Sequence, residues 1–408
     1  MTPTPAHPQR LYERGESTMR VLLVVAPVRT HLLPIVPLAW ALQAAGHQVL
    51  LCGEPSTVET ARGAGLHTAE VAVRPGPAGP PKPSGKPANG ASPSNGSPGW
   101  QPDWDALAAR WQARVGRVLD GYLALAREWR PDLIISDPVE FSGPIVAGAL
   151  GIPAVVHRWG PDVLTTQARE PARRALKSLA QQAGSDEGLP DPALLLDPCP
   201  PSMRPEGAAP GEPVRFVPYN GPGGYPDWRP SGDGERVVCV SYSPRTVDEL
   251  GVGGLAALAE AFGRMDGVRA LFTLSEAHAE LLGPVPGNVE VVAPAPLSLL
   301  LDRCAAVVHH GGSGTGLTAL AMGLPQLVLP QALPALDVYA ERVTASGSGF
   351  AVDHGDQDDP ARLRTALDTL LGDPRYAKDA LRCADEVRAM PLPSQLVPRL
   401  EEVAGARS

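Results

Sequence analysis

The sequence predicts an α/β protein built from two doubly wound, Rossmann-like parallel-sheet domains, and three observations carry that prediction. Short apolar runs alternate with helical stretches along most of the 408 residues. A stretch rich in Pro and Gly, 198–227, breaks the alternation once, and a similar series stands on either side of it. One run, Val307-Val308-His309-His310-Gly311-Gly312-Ser313-Gly314-Thr315-Gly316, passes from the composition of a strand buried on both faces through glycines into a helix closed by Gly323.

Residues 1–18 have no period and no apolar core of a signal peptide, so they are expected to be a flexible extension, with Met19 an alternative start. Val21–Ala26 is a continuous apolar strand; His31 follows it, then a helix from about Leu33 to Ala45 closed by Gly46. Strand Gln48–Cys52, helix Thr57–Ala64 and strand His67–Val71 continue the alternation. From 74 to 102 nearly every residue is Pro, Gly, Ser, Ala or Asn, which bury too little apolar surface to offset their ordering entropy. A mobile loop is expected there, either a lid over a cleft or an inert insertion. Trp104–Trp129 reads as a long amphipathic helix, followed by strand Leu133–Ser136, helix Phe141–Leu150 capped by Gly151, strand Ala154–His157 and helix Thr165–Ala183. These complete an N-terminal domain, 19–220. In the second domain, 221–390, strands Val237–Ser241, Arg269–Thr273, Val289–Val292, Ala305–Val308, Gln326–Leu329 and Gly349–Val352 alternate with helices. Residues 391–408 are expected to form a helix that can pack back on the first domain.

Composition excludes some functions. No apolar run reaches the roughly 20 residues of a membrane span. A net charge of −9 without a basic cluster argues against a nucleic-acid partner. The five cysteines, Cys52, Cys199, Cys239, Cys304 and Cys383, are scattered without metal-ligand pairing and read as reduced core residues of a cytoplasmic protein.

The chemistry concentrates at strand ends. A strand that empties through Gly311, Gly312, Ser313, Gly314 and Thr315 into a helix N-terminus makes an anion site, because first-turn N–H groups lack intrahelical partners and the helix end is partly positive. The turn has neither the Lys of a Walker loop nor the glycine order of a dinucleotide fingerprint; His309 and His310 stand in place of the lysine. His31, just beyond the first strand, is either a general base or a surface histidine at a helix start. Asp137 ends the fourth strand at the same sheet edge, either as the carboxylate that orients His31 or as a helix cap.

Taken together, HHGGSGT, THLLPIVPLAWALQAAGHQV, PDLIISDP, HRWGPD and VPYNGP resemble the glycosyltransferases of actinobacterial natural-product pathways, especially those that place deoxysugars on macrolides and related polyketides. The likeness runs from Met19 to about Ala404. It implies the GT-B fold, two domains facing a cleft, and an inverting transfer that needs no metal or other cofactor, from a nucleotide sugar, usually a dTDP-deoxysugar, to a small-molecule aglycone. It also leaves room for an auxiliary protein or a homodimer. By the resemblance His31 is the base, His309 the phosphate ligand, and Asp337 a contact to sugar hydroxyls. Val338, where hexose-using relatives tend to have Gln, suits a sugar that lacks a hydroxyl. Val292 and Pro294 should lie against the nucleobase, although Pro294 stands near where relatives often have an aromatic. The stretch Ser241-Tyr242-Ser243-Pro244-Arg245 stands where relatives have a Gly-Ser or Gly-Thr turn, and Arg245 is either a contact to the diphosphate through its fork of donors or an ordinary surface residue. Trp159 is expected to wall the acceptor side, with Trp104 or the loop. Outside transfer, the same features would serve a degenerate, non-catalytic homologue that binds nucleotide or assists another enzyme, or an epimerase or phosphorylase on the same fold.

Overall fold

The computed structural model describes residues 18–74, 103–162, 164–226, 228, 235–331 and 334–405. The extension 1–17 and the loop 75–102 lie outside the described residues. Two parallel sheets organise the chain. The first contains β1 (Arg20–Val24), β2 (Gln48–Gly53), β3 (His67–Glu70), β4 (Leu133–Ser136), β5 (Ala154–His157), β6 (Leu194–Asp197) and β7 (Glu212–Pro213), in the order β3-β2-β1-β4-β5-β6-β7. The second contains β8 (Arg236–Ser241), β9 (Val268–Thr273), β10 (Val289–Val292), β11 (Ala306–His309), β12 (Gln326–Val328) and β13 (Gly349–Ala351), in the order β10-β9-β8-β11-β12-β13. In each sheet the order reverses beside its first strand, between β1 and β4 and between β8 and β11. Crevices open at such switch points, beyond the carboxyl ends of the strands.

Helices cover both faces of the sheets: α1 (Arg29–Leu32), α2 (Val36–Ala44), α3 (Pro55–Gly63), α4 (Trp104–Trp129), α5 (Ser142–Leu150) and α6 (Leu164–Ala183) in the first half. The second half carries α7 (Pro244–Leu250), α8 (Gly253–Phe262), α9 (Glu276–Leu282), α10 (Leu297–Leu300), α11 (Ser313–Ala321), α12 (Pro334–Ser346), α13 (Pro360–Gly372), α14 (Pro374–Ala389) and α15 (Val397–Gly405). The continuous apolar strands follow from burial on two sides: Val21 and Leu23 enter one core, with α2 and α3, while Leu22 and Val24 enter the other, with α4, α5 and α6. Among the described residues no helix is long and apolar enough to cross a membrane.

Three local features differ from the sequence expectation. His31 lies inside a separate helical turn, α1, rather than in a loop before one long helix, because Pro34 interrupts the run and α2 restarts with Pro37 in its first turn. Strands β6 and β7 extend the first sheet through segments too short and too proline-bounded to show a period. Ser243 caps α7, with Pro244 at its first position, so Arg245 begins a helix where a turn was expected.

The chain's last helix belongs to the first core. Leu400 and Ala404 of α15 pack with Val21, Leu23 and Leu38, and His47 Nε2 lies 3.3 Å from Glu401 Oε1. Fully buried Leu400 should therefore matter more than its place near the chain end suggests. Leu400→Ala is expected to cost about 2–5 kcal/mol, read as a lowered urea midpoint. Exposed Leu281→Ala is the control; equal, small shifts for both would mean that α15 adds little.

Candidate active site

Asp137 immediately follows β4, and Val24 of β1 pairs with Ser136 of β4, so the loops after these strands leave the sheet side by side. The Asp137 carboxylate is almost fully buried and takes three donors: Ala26 N–H at 2.6 Å on Oδ2, and Val139 N–H at 3.0 Å and His31 Nδ1 at 3.2 Å on Oδ1. Burial alone would raise its pKa, but the bonds from His31 and the two amides outweigh that and hold it below the usual carboxylate value. A carboxylate so held fixes the His31 tautomer with the proton on Nδ1, which leaves Nε2 as the basic nitrogen. The indole of Trp159 stacks on the His31 ring, with centroids 4.2 Å apart and planes inclined by 23°. The His31 ring is thus held at one nitrogen and on one face. Trp104, by contrast, packs against the core formed with α4.

The second sheet presents its glycine turn at the matching edge. β11 pairs with β8, His309 beside Ser241. In α11 the first intrahelical bond runs from Gly316 N–H to Gly312 O, so the N–H groups of Ser313, Gly314 and Thr315 precede the ladder, and the N-cap Gly312 offers no side chain to cap them. Gly311 has φ +94°, where an added Cβ would meet Leu336 O at 3.0 Å.

The two histidines divide. His309, expected against the phosphate, is fully buried with both ring nitrogens engaged: Nδ1 accepts from Gly311 N–H at 3.1 Å and Nε2 lies 2.9 Å from Gln326 Oε1. Gln326 Oε1 also accepts from Tyr339 Oη at 3.1 Å. That arrangement corrects the expectation, since His309 shapes the turn from beneath and offers a ligand no nitrogen. His310 is buried as well: its Nδ1 is enclosed, its ring lies against Gly312 and 5.7 Å from that of Tyr242, and the Ser241 backbone faces it.

Other expected residues fall at varied distances from this centre. Arg245 donates from Nε to Glu249 one turn along the exposed face of α7, at 2.9 Å, so its guanidinium faces a helix neighbour instead of the glycine turn. Asp337, in the first turn of α12, is buried with one carboxylate oxygen 3.6 Å from His354 Nε2. Val292 is half-buried against a cluster containing Trp228, and Pro294 is exposed just beyond it. Gln326, Tyr339 and Gly160 are site residues that sequence reasoning passed over. Only Gln326 carried a signal, as a polar residue opening an otherwise apolar strand. Gly160, next to Trp159, brings the two domains together: an added Cβ would come within 2.5 Å of Ser313 Cβ at the start of α11.

Comparison with known proteins agrees with this architecture. Family models for erythromycin biosynthesis protein CIII-like proteins match in two parts, the N-terminal domain model over residues 105–243 and the C-terminal domain model over residues 256–403. L-demethylnoviosyl transferase from Streptomyces niveus is 36% identical over 383 residues, covering 92% of this chain and 96% of the relative. Among solved structures, the spinosyn rhamnosyltransferase SpnG superimposes with a TM-score of 0.84 at 36% identity, over 94% of this chain and all of that one. The glycosyltransferase SnogD from Streptomyces nogalater gives a TM-score of 0.78 at 33% identity, over 95% of this chain and all of that one.

Burial pushes the imidazoles of His157, His309 and His310 down to about 4, about 3 and about 4. Unfolded histidines bind protons near pH 6.5, so between there and pH 4 the unfolded chain binds more protons than the folded one, and stability falls as pH falls. The expected slope is up to about 1.4 kcal/mol per pH unit for each histidine. Urea midpoints at pH 7.5, 6 and 5 should decline below about pH 6.5; a flat profile down to pH 5 would mean that these rings are solvated.

Proposed function

We propose, for a chain that belongs to the erythromycin biosynthesis protein CIII-like family and is a glycosyltransferase of the GT-B fold, that it moves a deoxysugar from a dTDP-linked donor to a polyketide-like acceptor, with inversion and without a metal. The observation that carries this reading is the His31–Asp137 pair, stacked on Trp159 in a loop whose next residue, Gly160, touches the first residue of α11. A base and an anion site face the same cleft. The relatives support the choice of substrates: SpnG has been solved with thymidine diphosphate and with spinosyn aglycone, and the Streptomyces niveus relative is named as a transferase of a demethylnoviosyl group.

In the proposed reaction the donor's diphosphate lies against the N–H groups of Ser313, Gly314 and Thr315. The acceptor hydroxyl lies near Trp159 and His31. As the acceptor oxygen attacks the anomeric carbon, His31 Nε2 takes its proton, and Asp137 stabilises the resulting imidazolium. The bond from the anomeric carbon to the phosphate oxygen breaks on the opposite face, and its electron pair leaves with dTDP. Attack on one face and departure from the other give inversion. The leaving charge meets aligned N–H dipoles and the helix end, which do the work that a divalent cation does in other transferases. Asp337 would accept from a sugar hydroxyl, and half-buried Val338 next to it favours a sugar with an unsubstituted carbon at that side.

The first test is calorimetry with dTDP and UDP in buffer containing a chelator. dTDP is expected to bind more tightly than UDP, with an affinity that the chelator does not alter; no binding of either would overturn the donor assignment. With a panel of dTDP-deoxysugars and polyketide aglycones, His31→Ala should lower turnover by about 10²–10⁴-fold and leave dTDP affinity unchanged. Full activity in that variant would remove His31 from the mechanism.

A further inference from the structure

The base and the leaving-group site stand on different domains, so something must set the distance between them. Asn220, in the segment that leads out of the first domain, makes three hydrogen bonds to three separate elements. Its carbonyl oxygen accepts from Arg29 Nη2 at 3.4 Å, in the same turn α1 that carries His31. Its side-chain Nδ2 donates to Thr318 Oγ1 at 3.0 Å, on α11. Its side-chain Oδ1 accepts from the Ser298 N–H at 3.3 Å, on α10. Thr318 Oγ1 in turn donates to Gly314 O at 2.7 Å, inside the glycine turn, and Thr318 is fully buried. The next residue, Gly221, turns the chain with φ +102°, and a Cβ there would overlap the Arg29 guanidinium. Asn220 thereby holds the helix of the base through its backbone carbonyl, and the wall after β10 and the helix of the diphosphate through its side-chain amide.

We infer that Asn220 is a positioning residue for the transfer, the clamp that holds α1 in register with α11 so that His31 and the anomeric carbon meet at reacting distance. This rests on the transferase reading above. Asn220 touches neither reactant, so its removal should leave each binding step intact and cost only alignment. Misplacement by about 1 Å lowers a rate by about 100-fold.

The test uses the full chain and the donor and acceptor pair selected by the panel above. Asn220→Ala and Thr318→Val, which cut the same bond from opposite sides, should each lower kcat by about 10- to 100-fold with the Kd for dTDP little changed. The double variant should be little worse than either single one, because both remove one interaction. Thr318→Ser, which keeps the hydroxyl, should retain wild-type turnover. Wild-type kcat in Asn220→Ala, or losses in kcat matched by equal losses in dTDP affinity, would overturn the clamp, as would full activity in Thr318→Val. If the wild-type chain transfers no sugar, the functional reading fails on its own. The clamp is then judged by the distance between spin labels at exposed Glu128→Cys and Thr365→Cys with dTDP present. Asn220→Ala should broaden that distance distribution, and an unchanged distribution would overturn the inference.

Discussion

The glycine turn after β11 keeps its shape only while His309 is neutral. Gly311 N–H donates to His309 Nδ1, which requires a lone pair there and so puts the ring proton on Nε2, where it meets Gln326 Oε1. Gln326 also receives the Tyr339 hydroxyl, and a Cβ on Gly316 would overlap the Tyr339 ring. One uncharged imidazole therefore relates β11, β12, α11 and α12. Complete burial supplies the condition, since charging the ring there would cost its hydration without a compensating anion. The start of α11 is consequently placed by packed, uncharged groups rather than by an ion pair that a ligand's charge would disturb.

Charge is distributed between the domains accordingly. The first domain holds a buried carboxylate, Asp137, against a partly exposed imidazole. The second domain holds two buried neutral imidazoles behind a helix end. In the proposed reaction a diphosphate at that end would be met by dipoles already aligned, which need no reorganisation as charge builds on the leaving oxygen. Arg245 would have added a full charge, but α7 directs it along the surface to Glu249, an exposed pair of small energetic weight.

Much of this was legible in the sequence because it depends on strand ends. Apolar runs locate the strands, and in a doubly wound sheet the residues just after them share one edge; that logic brings His31 to Asp137 and isolates the glycine turn without any knowledge of packing. What stayed hidden depends on which way a residue faces or on what folds against it. His309 and His310 are adjacent and identical in type, and strand alternation sends them to different surroundings, which only the partners Gln326 and Tyr339 resolve. The Ser243-Pro244 pair did hold a helix-start signature, and reading it as a turn misplaced Arg245. Trp159 against His31, Gly160 against Ser313 and Asn220 against Thr318 are contacts across more than a hundred residues or between domains, and no local pattern encodes them.

The way the chain crosses between domains limits how those distant contacts can move. The segment 214–226 leads out of the first domain, and 390–396 leads back to dock α15 on the first core. The two crossings are bonded to each other: Arg215 N–H donates to Pro391 O at 2.7 Å, and Arg215 Nε donates to Met390 O at 3.0 Å. Near them, Glu386 of α14 accepts from Ser202 N–H at 2.9 Å, and Arg342 of α12 donates to Ser202 O at 3.2 Å. The two joined crossings tie the domains together along one side. The contacts at Gly160 and Asn220 both end on α11, so the helix proposed to receive the diphosphate is also held against the first domain.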